Sequence, residues 1–410
     1  MKRLLLRARK DPFEVLTPEA SLDRNAIANN SGNLIFSGAA YGILATSDTE
    51  LTADRFVIDP GAADRINERY DAYVIPLANA FRISFEANLI RLTQLISRLR
   101  IPVIVLGVGA QSDARYETDR LHRIEPAVRA FVSAVLDHGP SIGVRGAFTA
   151  SYLAGLGFCD VEVIGCPSLF LHGPDLRVEK GPAPLDRDAR LAVTVSPYVK
   201  AMWPIVARHV ERYPNLVYIA QDIDTLEHLL WGGSAPDRDV RTRMYVDPWP
   251  WIDDLRDRDF VFGTRIHGTI AALLAGTPAY VFAHDSRTLE LAEYFAIPHR
   301  RMADVSPDVD AAELHAEADF QVFNEGHAAR FATFAEYLER HGLEHVFRPG
   351  QDTLAFGRQL QATPFPPAVT ARPPTDMPLH GRQTRRLRRT LRRLRNAPRV
   401  RGWRARLARR

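Results

Sequence analysis

The sequence predicts an α/β protein made of two Rossmann-like domains that face each other across a cleft, followed by a basic C-terminal tail. Short β-branched runs alternate with longer helix-like segments, which is the pattern of parallel sheets flanked by helices. The alternation stops at a polar, proline-rich stretch over residues 172–190 and then restarts. The chain has 410 residues, enough for two domains of ordinary size. Strand ends of both domains should face the shared cleft, where such sheets bind ligands.

The first predicted domain covers residues 1–175. Aliphatic and β-branched runs predict strands over residues 3–7, 72–76, 102–106, 141–144 and 161–164. Helical periodicity predicts helices over residues 34–44, 85–99, 124–136 and 147–156. Gly155 and Gly157 mark the end of the last helix. Strands and helices therefore alternate through this domain.

A linker over residues 176–190 leads to the second predicted domain, residues 191–350. Its strands are expected over residues 191–195, 216–220, 244–246, 260–262 and 279–282. Its helices are expected over residues 200–213, 225–231, 250–255, 267–275 and 287–295, with a terminal helix over residues 326–341. No internal repeat is visible in the sequence.

Composition indicates a soluble globular protein. The chain is 46% hydrophobic and 25% charged, and no run approaches the roughly 18 to 20 apolar residues of a membrane span. The apolar run near the start is too short for the core of a signal peptide. Cys159 and Cys166 lack companions at metal-ligand spacing, so we expect a reduced, cytoplasmic protein without a metal site.

Charge is distributed unevenly along the chain. Residues 382–410 contain fourteen arginines and no acidic residue, so residues 1–381 carry a formal charge of −10 against +4 for the whole chain. Residues 362–378 are rich in proline and threonine, and we expect the segment from residue 362 onward to be disordered before the basic tail begins. In the tail, Leu387, Leu391 and Leu394 recur at the spacing of an amphipathic helix.

Three interpretations of the arginine-rich tail stay open. Basic amphipathic helices bind anionic membrane surfaces, and the inner face of the plasma membrane is the favoured partner. The same charges can also hold nucleic acid phosphates or dock on the acidic body of the protein. No base-reading motif or aromatic interleaving accompanies the arginines, so a nucleic acid partner is disfavoured.

The stretch over residues 260–278 carries the clearest chemical signal. An apolar strand leads into a Gly-Thr turn, and an Ala/Leu-rich helix follows, with Arg265 and His267 at the turn. Arginine presents a planar fork for phosphate or carboxylate, and histidine can move a proton near neutral pH. The helix start also favours an anion. The alternative is an arginine paired with an acidic neighbour and a histidine capping the helix.

Other candidates lie where predicted strands end or helices begin. Gly32 and Asn33 precede a predicted helix and can bind phosphate or sugar through backbone amides, or simply cap the helix. Gly109 and Gln111 end a buried strand, where glycine lets a ligand approach the backbone. His284 ends a later strand and is expected to border the cleft, as is Tyr198 after Ser196-Pro197.

Four sequence blocks resemble, in the same order, motifs of the polysaccharide pyruvyl transferase family. Gly-Thr-Arg-Ile-His at residues 263–267, followed by the block at 272–278, is similar to the family's C-terminal signature. The other three are Asn-Ser-Gly-Asn at residues 30–33, the Gly-x-Gly-x-Gln strand end at 104–111, and the Val-Arg-Gly to Cys-Pro block at 141–167. The resemblance covers about residues 28–300.

The resemblance implies a GT-B-like fold and an enzyme that moves a pyruvyl group from phosphoenolpyruvate onto two sugar hydroxyls, forming a ketal. The acceptor would be a glycan or lipid-linked sugar, on the way to a cell-surface or extracellular polysaccharide. No cofactor is implied beyond the phosphoenolpyruvate donor. By this analogy His267 transfers the proton, Arg265 holds the phosphate or carboxylate, and Arg145 is a second anion clamp; an ion pair at a helix start is the alternative for Arg145.

The sequence departs from the family pattern at two places. Cys166-Pro167 stands where Asp-Pro is usual, and residues 284–287 (His-Asp-Ser-Arg) stand in place of an Asp-x-Lys-like segment, so Arg287 is expected to supply the positive charge. A nucleotide-sugar glycosyltransferase of the same fold is an alternative, since Thr264 and Arg265 can contact a donor nucleotide. A non-catalytic protein that docks through its tail is another, and it predicts that Arg265 and His267 share no cleft with Arg145.

Overall fold

The computed structural model describes residues 1–231 and 241–371. These residues form two main β-sheets, largely parallel and flanked by helices. The N-terminal half, residues 1–175, begins with a four-stranded parallel sheet in the order β2-β1-β3-β4. A parallel bridge between Val108 and Val144 continues it towards a parallel β5-β6 pair. The strands are β1 (Lys2–Leu6), β2 (Thr49–Ala53), β3 (Ala72–Pro76), β4 (Val103–Leu106), β5 (Ile142–Val144) and β6 (Val161–Val163).

The helices of this half follow their strands in sequence. They are α1 (Pro18–Arg24), α2 (Gly32–Leu44), α3 (Ala63–Arg69), α4 (Glu86–Ile96), α5 (Glu125–Leu136) and α6 (Ala147–Gly155). The apolar side chains of α4 and α5 pack with β3 and β4 into one buried cluster. The alternation of strands and helices predicted for this part of the chain is therefore confirmed.

The C-terminal half, residues 191–371, contains a seven-stranded sheet in the order β12-β11-β10-β7-β8-β9-β13. Its strands are β7 (Leu191–Thr194), β8 (Val217–Ala220), β9 (Arg241–Met244), β10 (Phe260–Gly263), β11 (Ala279–Ala283), β12 (His299–Arg301) and β13 (Val369–Thr370). All neighbours are parallel except β13, which is antiparallel to β9. The fold class predicted from the sequence, two Rossmann-like units facing a cleft, is confirmed.

The helices of the C-terminal half are α7 (Met202–Arg212), α8 (Ile223–Trp231), α9 (Pro248–Arg256), α10 (Ile266–Leu274), α11 (Ser286–Phe295), α12 (Ala311–Glu317), α13 (Gln321–Arg340) and α14 (Ala355–Ala362). The 20-residue α13 returns to the N-terminal half. There the Tyr337 hydroxyl donates to the Val105 carbonyl at 2.8 Å and accepts from the Gly143 N–H at 3.0 Å. This helix thus ties the two halves together.

Several elements were not predicted, because they carry little apolar signal. The edge strands β2 (Thr-Glu-Leu-Thr-Ala) and β12 (His-Arg-Arg) are polar and only partly buried. The strand expected over residues 244–246 is Arg241–Met244 instead, for the same reason.

Residues from 362 onward were expected to be disordered, and this is wrong for residues 362–371. Ala362 ends α14, and Val369 is buried and pairs with Met244 of β9. The extended backbone that proline favours lets this segment add an edge strand. The basic tail predicted over residues 382–410 lies outside the described residues.

The linker segment is tied to its surroundings. The Val178 N–H donates to Asn324 Oδ1 at 2.9 Å, and the Asn324 amide donates back to the Val178 carbonyl. The Lys180 ammonium donates to three carbonyls around the end of α12.

In the part of the chain that the structure describes, no helix is long and apolar enough to cross a membrane. Both cysteines are free thiols.

Candidate functional site

The carboxyl ends of both sheets open onto one cleft of about 1440 Å³. Residues that follow β1, β3, β4 and β5 line it from the N-terminal half, and residues that follow β7, β8, β10 and β11 line it from the C-terminal half. Strand ends of parallel sheets are where α/β proteins bind ligands. The cleft is therefore the candidate site.

Most of the predicted site residues lie on the wall of this cleft. They are Asn33, Gln111, Arg145, Thr264, Arg265, His267 and Arg287. Arg145 from the N-terminal half thus shares a cleft with Arg265 and His267 from the C-terminal half. This arrangement contradicts the prediction of the non-catalytic alternative, which required them to lie apart.

Gly32 and Gly109 lie behind the cleft wall and provide room for the candidate side chains. A Cβ atom added to Gly32 would lie 2.7 Å from His267 Cβ, and one added to Gly109 would lie 2.4 Å from Arg145 Nε. Real Cβ atoms do not come this close to other heavy atoms. Absence of a side chain at these two positions is therefore what lets His267 and Arg145 occupy their places.

Arg145 is a buried cation that forms no ion pair with the residues the structure describes, although the charges of Glu290 and Asp285 act on it. It is 2% exposed, its Nε has no hydrogen-bond partner, and its Nη2 donates to the Gly107 carbonyl at 3.4 Å. Among the described residues no carboxylate forms an ion pair with it, and burial lowers its pKa. An uncompensated buried charge is costly, so an anion entering the cleft would stabilise this side chain.

Arg82 and Arg287 add positive charge to the same wall. Arg82 Nε is buried without a hydrogen-bond partner, and the pKa of Arg82 is lowered by burial and by the charges of Arg287 and Arg145. Arg287 donates from Nε to Asp285 Oδ2 at 2.6 Å and from Nη2 to the Tyr198 hydroxyl at 3.0 Å. Asp285 is also the N-cap of α11, where it accepts from the Thr288 N–H.

Arg265 is already paired. Its Nη2 donates to both carboxylate oxygens of Asp222, and its Nε donates to the Val195 carbonyl at 3.2 Å. These bonds connect the turn after β10 to the loops after β7 and β8. Arg265 is thus paired with an acidic neighbour, the alternative stated for it above, whereas Arg145 and Arg82 form no ion pair within the described residues.

His267 lies in the first turn of α10 beside the arginines. Its Nε2 is buried and has no hydrogen-bond partner among the described residues, and its ring lies 5.8 Å from that of Phe36. Burial lowers the pKa of His267 to about 3, with further lowering from the charges of Arg145, Arg287 and Arg265. The imidazole is therefore neutral at physiological pH, and an anion that offsets those charges would raise its pKa.

The remaining predicted residues shape the wall of the cleft. Asn33 donates to the Ala28 carbonyl at 3.0 Å, and Thr264 Oγ1 accepts from the Ser196 N–H at 2.8 Å. Gln111 reaches across the cleft to Asp285 Oδ2 at 3.4 Å. His284 stands behind the lining, with its Nε2 3.1 Å from the Tyr198 hydroxyl.

Sequence reasoning missed several polar residues of the site. These include Arg82 and Asp222, together with Ser196 Oγ and Gln221 Nε2, which are buried without hydrogen-bond partners in the described structure, and Glu290 behind the lining. Ser196, Gln221 and Asp222 follow strands β7 and β8 closely, so the strand-end rule that located Arg265 would also have found them. Glu290 sits within a helix and gave no comparable signal.

Several solved structures are similar to the chain over most of its length, at low sequence identity. Among solved structures, the chain resembles the S. aureus MnaA–UDP complex (12% identity, 84% of this chain and 99% of that chain, TM-score 0.44). It also resembles the Methanocaldococcus jannaschii UDP-GlcNAc 2-epimerase with UDP-GlcNAc and UDP (11% identity, 83% and 99%, TM-score 0.44). The UDP-GlcNAc 2-epimerase of Neisseria meningitidis is similar at 11% identity, with 88% and 98% coverage and a TM-score of 0.40.

No curated protein sequence matches the chain significantly. The family model described as polysaccharide pyruvyl transferase matches residues 24–286, which is more than half of the chain and includes the four motif blocks. The resemblance drawn from those blocks is confirmed: the chain belongs to the polysaccharide pyruvyl transferase family and is a transferase.

Proposed function

We propose that this protein transfers a pyruvyl group from phosphoenolpyruvate to two hydroxyls of a sugar, forming a ketal on a cell-surface or extracellular polysaccharide or its precursor. The observation that carries the proposal is Arg145, a buried arginine that forms no ion pair with any described residue, in the same cleft as a neutral His267. Such a site can bind an anion and holds a group able to move a proton.

The donor would be held by the arginines of the cleft. Phosphoenolpyruvate carries a carboxylate and a phosphate, and Arg145, Arg82 and Arg287 can hold both through charge-assisted hydrogen bonds. The backbone N–H groups at the start of α10 would add to this binding. Arg265 would contribute chiefly by fixing the turn that carries His267, because Asp222 already neutralises its charge.

Proton transfer would follow from the change in charge on binding. As the donor offsets the arginine charges, the pKa of His267 rises and the imidazole can take up a proton. It would deliver this proton to the methylene carbon of the donor, and the first sugar hydroxyl would bond to the adjacent carbon. The bond to the phosphate oxygen then breaks, and the second hydroxyl completes the ketal. Of the two protons that the hydroxyls lose, one ends on the new methyl group and one on inorganic phosphate.

The acceptor would be a glycan or a lipid-linked sugar, and the enzyme would work in the cytoplasm at the inner face of the plasma membrane. Support for the membrane comes from the fourteen arginines of residues 382–410.

Product analysis tests the proposal directly. The full-length protein is incubated with phosphoenolpyruvate and a panel of glycans, and the products are analysed by mass spectrometry and phosphate release. We expect one acceptor to gain the mass of pyruvic acid less one water, with one phosphate released for each ketal. Nucleotide sugars are the comparison ligands in thermal melts. If a nucleotide sugar raises the melting temperature and phosphoenolpyruvate does not, the glycosyltransferase alternative replaces this proposal.

A further inference from the structure

Tyr198 is an exposed aromatic side chain at the candidate site. It lies on the loop after β7, lines the cleft, and is 60% exposed. Because the ring also lines the cleft, its exposed face is available to a ligand that enters there.

The hydroxyl of Tyr198 is nevertheless held firmly. Arg287 Nη2 donates to it at 3.0 Å, and the hydroxyl lies 3.1 Å from His284 Nε2. Burial lowers the pKa of His284, so its imidazole is neutral and its Nε2 can accept the hydroxyl proton. The two rings meet edge to face, with centroids 5.5 Å apart. Two hydrogen bonds and one ring contact thus fix the orientation of Tyr198 while its ring stays exposed.

The other aromatic rings that line the cleft are buried or half-buried. The guanidinium of Arg7 lies 4.8 Å from the ring centre of Phe56, and that of Arg82 lies 5.9 Å from that of Phe85. Phe36 is buried and packs beside His267. Among the aromatic residues that line the cleft in the described structure, Tyr198 is therefore the one that offers an exposed ring.

We propose that the ring of Tyr198 is the platform on which the acceptor sugar stacks, an inference that rests on the proposed function. Sugars present apolar C–H faces, and a fixed aromatic ring binds such a face without losing much conformational freedom. Arg287, which holds the tyrosine hydroxyl, belongs to the proposed donor site. A sugar stacked on Tyr198 would thus place its hydroxyls next to the donor.

A pair of substitutions separates the ring from its hydroxyl. Tyr198→Phe keeps the ring and loses both hydrogen bonds, whereas Tyr198→Leu loses the ring as well. Both variants remove the same bond to Arg287, so any change in the KM for phosphoenolpyruvate should be the same in the two. We expect the KM for the acceptor to rise about 5- to 10-fold more in the leucine variant than in the phenylalanine variant, the ratio that stacking of this kind supplies. Val322→Ala, at an exposed position on α13, is the control.

Binding is measured separately from turnover. Saturation-transfer NMR with methyl glycosides of glucose, galactose and mannose should show transfer from aromatic protons to the sugar in wild type and in Tyr198→Phe, and its loss in Tyr198→Leu. That pattern supports the platform even if no acceptor is turned over, an outcome that would count against the proposed function alone. Equal transfer or equal acceptor KM in the phenylalanine and leucine variants would overturn the platform.

Discussion

Glu290 of α11 accepts two hydrogen bonds from Thr149 of α6, one at 2.6 Å from the backbone N–H and one at 3.0 Å from the hydroxyl. The contact crosses from the C-terminal half to the N-terminal half, and it caps an N–H in the first turn of α6 that has no partner within the helix. The Thr149 hydroxyl also accepts from the Ala110 N–H at 3.0 Å. Glu290 thus holds together the turn that carries Arg145 and the loop after β4.

The ionisation of Glu290 should make stability depend on pH. Glu290 is 2% exposed, and burial raises its pKa from 4.5 to about 7. Between these values the folded protein binds more protons at this site than the unfolded chain, so stability falls as pH rises, by at most about 1.4 kcal/mol per pH unit. Glu290→Gln keeps the shape of the cap and has no such proton. We expect the melting temperature of wild type, relative to the glutamine variant, to fall as pH rises from 5 to 7.5.

Glu336→Gln is the control for this experiment, because Glu336 is an exposed carboxylate on α13. Glu293 of α11 is unsuitable, since its charge contributes to the raised pKa of Glu290. A difference between wild type and Glu290→Gln that stays constant over the whole pH range would contradict the buried-carboxyl explanation.

We expect Arg145 to bind phosphoenolpyruvate but to add nothing to the stability of the free protein. Because its charge is buried and forms no ion pair in the described structure, Arg145→Met is expected to leave the melting temperature of the free protein unchanged or to raise it. The same variant should no longer be stabilised by phosphoenolpyruvate. Thermal melts with and without the donor measure both effects.

Arg7→Met is the contrasting variant. Arg7 is also buried, at 5% exposure, but it pairs with Asp54 at 3.2 Å. Removing it leaves the buried Asp54 carboxylate without its cation and with only its hydrogen bonds from Tyr73, Ala8 and Phe56, and breaking a buried pair in this way costs about 3–5 kcal/mol. Equal destabilisation by the two methionine variants would show that Arg145 is a structural cation like Arg7.

The central strands could be predicted from the sequence because they are buried on both faces. Every residue of β3, β10 and β11 is buried, so these strands are apolar throughout. The polar edge strands β2 and β12 carry no such pattern and were missed. Continuous apolar runs in the sequence therefore identify the central strands of each sheet but not the edge strands.

The Arg265–His267 turn could be located because strand, turn and helix are adjacent in the sequence. The partners of these residues could not be located from the sequence, because they belong to elements that are far away along the chain. Asp222 lies 43 residues from Arg265, and Thr149 lies 141 residues from Glu290. Which arginine is left free for a ligand depends on such long-range pairs, and so only the folded structure separates Arg145 from Arg265.

Replacing His267 should separate binding from proton transfer. His267→Gln keeps a polar side chain of similar size beside unchanged arginines, so phosphoenolpyruvate should still raise the melting temperature. Loss of a proton-transfer group typically costs about 100-fold or more in kcat. Turnover by the glutamine variant within a few-fold of wild type would exclude His267 from proton transfer.

The pH dependence of donor binding provides a second test of His267. The pKa of His267 is lowered from 6.5 to about 3 in the free protein. Below pH 6.5 the unfolded chain therefore binds a proton that the folded protein does not, and the stability of the fold decreases as pH falls. A bound anion offsets this effect by raising the pKa. Donor affinity should therefore increase more in wild type than in His267→Gln as pH falls from 8 to 6, as measured by calorimetry. Identical pH dependence in the two proteins would show that His267 takes up no proton on binding.

Membrane binding should depend on the arginine-rich tail. A chain ending at Gly381 loses fourteen positive charges, each contributing about 1 kcal/mol near an anionic surface before screening. We expect the full chain to sediment with phosphatidylserine vesicles at low salt, less so at high salt, and the truncated chain to stay in the supernatant. Neutral phosphatidylcholine vesicles are the control. Equal sedimentation of both chains would exclude the tail as the membrane anchor.

Gly109→Ala should move Arg145 without unfolding the protein. The added methyl group would lie 2.4 Å from Nε and 2.5 Å from Cδ of Arg145, atoms of a side chain that can rotate away. Destabilisation should therefore be at most about 1–3 kcal/mol, the usual cost of overpacking, while the KM for phosphoenolpyruvate rises at least about 10-fold through loss of a charge-assisted hydrogen bond. Gly155→Ala is the matched control, since a methyl group there meets nothing within 4 Å. An unchanged donor KM in Gly109→Ala would mean that the position of Arg145 does not govern donor binding.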